Sequence, residues 1–162
     1  MQPDDVLAIV DALDRAHVRY WVAGGWGVDA LVGEMTRAHS DLDLCIDVQH
    51  EAATIEALEG MGFDGVLDLR PVRFSMKDLG GLEVDVHPVR FAADGTGVQA
   101  GPEATEFIYP ADAFAYGGIG HRRLPCLSAV QQVRFHTGYK RQPKDDADLA
   151  ILRDRLGVDI PD

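Results

Sequence analysis

Arg37-Ala38-His39-Ser40-Asp41-Leu42-Asp43-Leu44-Cys45-Ile46-Asp47 is the stretch on which the reading of the fold turns. From Asp41 it alternates, with Leu42, Leu44 and Ile46 on one side of an extended chain and Asp41, Asp43, Cys45 and Asp47 on the other. Successive side chains of a strand point to opposite faces. Residues 41–48 are therefore predicted as a strand with one apolar face and two neighbouring carboxylates on the other. Two like charges that close repel unless a cation lies between them, and a hard divalent ion with oxygen ligands, typically magnesium, removes the conflict. Taken alone, Asp-x-Asp is more often the solvated face of an edge strand. A third carboxylate shifts the balance. Asp85 stands in a second predicted strand, residues 82–89, where Leu82, Val84 and Val86 share one face and Glu83, Asp85 and His87 the other.

The surrounding chain reads as mixed. Val6, Ile9, Val10 and Leu13 recur at helical spacing behind Pro3. Tyr20-Trp21-Val22-Ala23 is a β-prone run ending on Gly24-Gly25, and residues 26–31 form a short helix stopped by Gly33. Glycines between a strand and a helix let backbone N–H groups approach a phosphate at the helix N-terminus, although a lone Gly-Gly is usually a turn. A helix over residues 50–61 closes at Gly62, and strands 72–77 and 82–89 join across Asp78-Leu79-Gly80-Gly81 as a hairpin. Residues 91–126 are rich in Gly and Pro and read as an irregular connection. Ser128 with Gln131 opens a helix that runs to about residue 137. Pro143 opens a last one, with Leu149, Leu152 and Leu156 inward and Gly157 as its stop. The expectation is one α/β (α+β) domain over residues 1–162. It comprises a mixed β-sheet core flanked by helices (about 1–90), the irregular connection (91–126) and C-terminal helices (127–157).

At 162 residues the chain suits a single domain. No apolar run approaches the roughly 20 residues needed to cross a bilayer, and acids stand where a signal peptide carries base. A cytoplasmic protein is expected, with Cys45 and Cys126 as buried thiols. The net charge of −12 argues against a nucleic-acid partner and suits a cationic small molecule. Between Ala113 and Lys144 there is no Asp or Glu, while Arg122, Arg123, Arg134, Lys140, Arg141 and Lys144 all fall inside. Such a block is either a phosphate-holding face or ordinary mixed surface charge.

Strand, Gly-Gly turn, helix, a strand bearing Asp-x-Asp and a later strand bearing a third Asp: in this order the sequence resembles the DNA-polymerase-β-like nucleotidyltransferase superfamily. Tyr20-Trp21-Val22-Ala23-Gly24-Gly25-Trp26-Gly27-Val28-Asp29-Ala30-Leu31, with Arg37-Ala38-His39-Ser40-Asp41-Leu42-Asp43, is similar to the small lincosamide nucleotidyltransferases. The aminoglycoside nucleotidyltransferases that modify the 2″-hydroxyl share the pattern. Pro125-Cys126-Leu127-Ser128, His136-Thr137-Gly138-Tyr139 and Asp145…Asp148-Leu149 extend the similarity to about residues 6–152.

The resemblance implies magnesium-dependent transfer of a nucleoside monophosphate, from ATP or another nucleoside triphosphate, to a hydroxyl of a small antibiotic-like molecule. Asp41, Asp43 and Asp85 would hold the metal, two ions in all, and Asp85 would also serve as general base. Gly24 and Gly25 would cradle the β- and γ-phosphates. Lys140, Arg141 or Lys144 would meet the triphosphate, and Arg37, just before the first aspartate, would also bind the nucleotide. Glu83 is either an acceptor-binding acid or a plain surface residue. His39 is expected to position its loop, and Trp26, where the wider superfamily has Ser, to pack in the core. His87, His121 and His136 show no metal spacing, and His136 is the best of them for a nucleotide contact. A homodimer is implied by analogy, with no membrane partner. Two other readings remain: transfer to a protein or tRNA end in a toxin–antitoxin system, which the missing positive charge disfavours for RNA, and an inactive nucleotide-binding relative, against which the three carboxylates count.

Overall fold

The computed structural model describes residues 1–136 and 141–161. The predicted strand is β2 (Asp41–Asp47). β1 (Tyr20–Val22) pairs with it antiparallel, and β5 (Glu83–Phe91) pairs with it in parallel. Beyond β5 lie β4 (Arg73–Lys77) and β3 (Asp64–Leu69). Beyond β1 lie β9 (Arg122–Leu127) and β8 (Phe114–Ile119), giving the order β3-β4-β5-β2-β1-β9-β8. β6 (Gly97–Ala100) pairs with the end of β5, and β7 (Glu106–Tyr109) with β6. Among the described residues this makes one mixed sheet of nine strands.

Period-two alternation sets the two layers. Leu42, Leu44, Ile46, Val84 and Val86 are fully buried on one face, under α1 (Pro3–Arg15) and α3 (Glu51–Glu59). α1 presents Val6, Ile9, Val10 and Leu13 to this layer, and α3 adds Leu58. On the other face Trp21, Cys45, Val89, Tyr109 and Leu127 form a second cluster. β2 is therefore covered on this second face at Cys45, while Asp41 and Asp43 nearer its start stay partly exposed. A third cluster of Val28, Val133, Leu149 and Leu152 joins α2 (Gly24–Val32), α4 (Ala129–Phe135) and α5 (Pro143–Leu156). No helix among the described residues is long and apolar enough to cross a membrane.

Three sequence expectations need correction. The segment 91–126, expected as an irregular connection, contains β6 to β9. Two of its glycines mark close packing rather than loops: a Cβ on Gly117 would collide with the Ala30 carbonyl of α2, and one on Gly97 would sit 2.7 Å from Val89 Cγ1. β3 was not foreseen, because this largely exposed edge strand carries acids and a glycine with no clean apolar face. α2 starts at Gly24, so the Gly-Gly pair is its first turn rather than a loop before it. The 78–81 hairpin, the Ser128 cap donated to by the Gln131 amide, and the Gly157 stop are present as expected.

The buried apolar face of β2 predicts a clear asymmetry. Leu44→Ala should lower unfolding free energy by about 2–5 kcal/mol, whereas Leu79→Ala, at a fully exposed turn, should stay within about 0.5 kcal/mol of the parent. Urea unfolding of the two variants measures this, and equal losses would contradict the layer assignment.

Candidate active site

Parallel pairing of β2 with β5 aligns Asp41 with Glu83, Asp43 with Asp85 and Cys45 with His87. Asp43, Asp85 and His87 consequently meet, with one ligand-type atom from each lying within 4.8 Å of the others. Asp41 is two residues nearer the start of β2 on the same face, held by the Ser40 hydroxyl at 2.9 Å, and stands outside that trio. All four line a cavity of about 1200 Å³.

Asp85 is the most constrained of these acids. Arg73 Nη1 donates to its Oδ2 at 2.5 Å, while its Oδ1 is buried with no hydrogen-bond partner. Burial raises the Asp85 pKa, the His87 ring and the Arg73 guanidinium pull it down, and the Asp43 charge raises it further. An acceptor oxygen buried without a donor is costly, and a cation would relieve it. The oxygen-rich set of Asp41, Asp43 and Asp85 thus fits a hard divalent ion.

The first turn of α2 lies against these acids. Gly24 has φ +56, and a Cβ there would collide with the Asp43 carboxylate. A Cβ on Gly25 would collide with His39 and Arg37. The glycines are thus needed for close approach of protein groups, and the helix N-terminus they open carries amides without intrahelical partners.

The loop after α2 is latched from both sides. Buried Asp29 accepts from Thr36 N and Oγ1 at 3.1 and 2.6 Å, and its Oδ2 lies 2.5 Å from His39 Nε2. Burial pushes the Asp29 pKa up, but the bonds from His39 and Thr36 outweigh it and hold the carboxyl below its ordinary value. His39 therefore does position its loop, with its ring 4.7 Å from that of buried Trp26. Arg37 lines the cavity, yet its guanidinium is engaged by buried Asp148 of α5 at 2.9 and 2.7 Å.

The basic block divides. Arg122 pairs with Asp11 and Asp14 of α1, and Arg123 lies over the Tyr116 ring, away from the cavity. Arg134 and Lys144 line the cavity, Arg141 faces Asp146 at 3.7 Å, and Lys140 lies outside the described residues. His136 lines the cavity and bonds the Gln132 carbonyl through Nδ1 at 2.7 Å. Glu83 does not reach the cavity, because Lys77 takes it at 2.7 Å at the far end of the β4–β5 hairpin. The structure adds Arg73, His87, Gln99 and an aromatic wall that includes Phe107, Tyr109 and Phe135.

Comparison with known proteins places the chain among relatives. The family model described as aminoglycoside-2''-adenylyltransferase matches residues 5–152. A lincosamide resistance protein of Staphylococcus haemolyticus is 34% identical over 149 residues, covering 92% of each chain. A 2''-aminoglycoside nucleotidyltransferase of Escherichia coli is 27% identical over 74% of this chain and 64% of its own. Among solved structures, the lincomycin-bound lincosamide antibiotic adenylyltransferase LnuA superposes with a TM-score of 0.84 at 33% identity, covering 93% of this chain and 96% of its own.

The contact between Gly24 and Asp43 gives a test. Gly33 also has positive φ (+77) but open space at Cβ, so Gly33→Ala should cost only the backbone term of about 1–2 kcal/mol. Gly24→Ala should cost more, because Asp43 must also move. Chemical denaturation of both variants decides it, and equal costs would mean that Asp43 does not require the glycine.

Proposed function

The chain belongs to the aminoglycoside-2''-adenylyltransferase family and is a nucleotidyltransferase, and from that premise we propose that it transfers AMP from ATP to a hydroxyl of a small amine-bearing antibiotic, a lincosamide before an aminoglycoside. The observation that carries this reading is the in-register pair Asp43 and Asp85, with a buried, unpartnered Asp85 oxygen and with the N-terminus of α2 packed against Asp43.

Asp41, Asp43 and Asp85 would hold magnesium, two ions in the arrangement expected of the fold, which when bound neutralises triphosphate charge. Asp85 would take the acceptor hydroxyl proton, and the burial that raises its pKa makes it a better base than an exposed carboxylate. As that proton moves, the acceptor oxygen bonds to the α-phosphorus and the bond to the β-phosphate bridging oxygen breaks, releasing pyrophosphate. The amides of Gly24 and Gly25 and the ammonium of Lys144 would bind phosphate oxygens. Arg37, spent on Asp148, holds the loop that supports them.

The acceptor side combines acid with apolar surface. Phe107, Tyr109, Phe135 and Pro102 share the cavity with the three acids, which suits a molecule with one ammonium group and an apolar body better than a polycation. The 34% identity to a lincosamide resistance protein over nearly its whole length supports the same order of preference.

Incubation with labelled ATP and magnesium beside lincomycin, clindamycin, kanamycin, tobramycin and neutral sugars tests the proposal. Transfer should favour the lincosamides, and KM for them should rise with ionic strength as salt screens the acids. Asp43→Asn should lower turnover by several orders of magnitude with the fold intact by circular dichroism. Near-normal transfer by that variant would remove the metal assignment, and preference for a neutral sugar would remove the antibiotic one.

A further inference from the structure

A chain of hydrogen bonds runs from β6 and β7 to His87, beside the carboxylate pair, and its proton order can be read. Gln99 Nε2 lies 3.3 Å from the Val72 carbonyl oxygen and 3.1 Å from His87 Nδ1, and Gln99 Oε1 lies 2.5 Å from Tyr109 Oη. A carbonyl oxygen only accepts, so the atom facing Val72 must be the amide nitrogen. That fixes the orientation of the amide. Its second N–H then donates to His87 Nδ1, and its oxygen accepts the Tyr109 hydroxyl proton. Tyr109 Oη is left as acceptor for the Cys45 thiol, 3.3 Å away.

The direction of donation is thus Cys45 to Tyr109 to Gln99 to His87. A His87 Nδ1 that receives a hydrogen bond carries no hydrogen of its own, so the ring proton of the neutral imidazole resides on Nε2. Nε2 is the atom that faces the site, 3.7 Å from Asp43 Oδ1 and 4.0 Å from Asp85 Oδ2. A nitrogen bearing a proton has no lone pair to give a metal. Proximity alone would make His87 a third ligand beside Asp43 and Asp85; the proton order opposes this.

We propose that His87 is a positioning residue, whose Nε2–H is locked by Gln99 and Tyr109 toward the oxygens of Asp43 and Asp85, and that it is not a ligand of the ion those acids hold. This rests on the metal reading of the acids given above. At 3.7 and 4.0 Å the Nε2–H is beyond direct hydrogen-bond reach of either carboxylate, and its dipole orients them without adding a competing positive charge, a role akin to that of the outer partners of metal ligands. It also gives β6 and β7 a function: they bring the amide that sets the tautomer.

Two-bond correlation spectra of isotope-labelled histidine, recorded without metal and assigned with His87→Gln, read the tautomer directly. The Nε2–H form is expected, and an Nδ1–H form would overturn the proposal. With Mn²⁺ alone as the probe, electron spin-echo spectra should show no imidazole nitrogen coupling. A coupling that vanishes in His87→Gln would make the ring a ligand. In turnover, His87→Ala should lose about 10–100-fold, while His87→Gln, which keeps an N–H, should recover most of it. Unchanged turnover in His87→Ala would deny the ring any role. Gln99→Leu removes the donor to Nδ1 and should mix the two tautomers, whereas an unaltered tautomer would show that the amide does not set it. The spectra need neither acceptor nor turnover, so their failure is distinguishable from failure of nucleotidyl transfer.

Discussion

Asp43 and Asp85 face each other because β2 and β5 pair in parallel, and that pairing cannot slip. A shift of one residue would turn Leu42, Leu44 and Ile46 out of the core. Burying each such side chain contributes about 1.5–3 kcal/mol. Two unit charges a few ångströms apart, at the effective dielectric of about 20 that suits protein sites, repel by about 4 kcal/mol. The five buried side chains Leu42, Leu44, Ile46, Val84 and Val86 together outweigh that repulsion. The sheet therefore holds two acids where neither would settle unaided. Arg73 and His87 lessen the conflict from the protein side, and the unpartnered oxygen of Asp85 shows that they do not remove it.

The same economy governs the helices around the site. The first turn of α2 reaches Asp43 only because Gly24 has no side chain, and the loop after α2 is held by Asp29 with Thr36 and His39. Arg37 then joins this loop to α5 through Asp148, a residue 111 positions away in sequence. Asp148 is almost wholly buried, so the ion pair matters chiefly because losing either partner would strand a charge. α5 is thereby tied beside the cavity, where Lys144 of its first turn is useful. Several charged residues that a sequence reading would assign to ligand binding serve to hold the walls.

What was legible in the sequence follows from range. Asp41, Asp43 and Asp85 were readable because period-two alternation is local and survives in both strands. The 78–81 hairpin also carried more than was taken from it. Counting back from its turn aligns Lys77 with Glu83 and Ser75 with Asp85, which places Arg73 close to Asp85. His87 was judged by ligand spacing along the chain, although its position two residues after Asp85 already put it on the acidic face. The partners that remove Glu83 and engage Arg37 depend on contacts across the fold, and for Asp148 no local signal exists. Gln99 and Tyr109 were hidden for another reason: Gln99's strand opens on Gly97 and the segment around both is rich in Gly and Pro, and a glycine that lets a neighbouring strand approach is locally indistinguishable from one that makes a turn.

Net charge was a weaker guide than its placement. At physiological salt a charge is screened over about 8 Å, so most of the acidic surface has little bearing on a ligand inside the cavity. The lining decides, and it holds both signs: Asp41, Asp43 and Asp85 from the sheet, Arg134 and Lys144 from the helices, and Arg37 with Asp145 and Asp148, the last of which engages it. A triphosphate placed against the sheet acids would meet repulsion that the two helix cations cannot cancel alone. In the proposed reaction it must therefore arrive with divalent cations, whereas an amine-bearing acceptor needs no such escort. In the proposed reaction one cluster of carboxylates would thus serve two ligands of opposite charge by different routes: the nucleotide through an intervening ion, the acceptor by direct attraction.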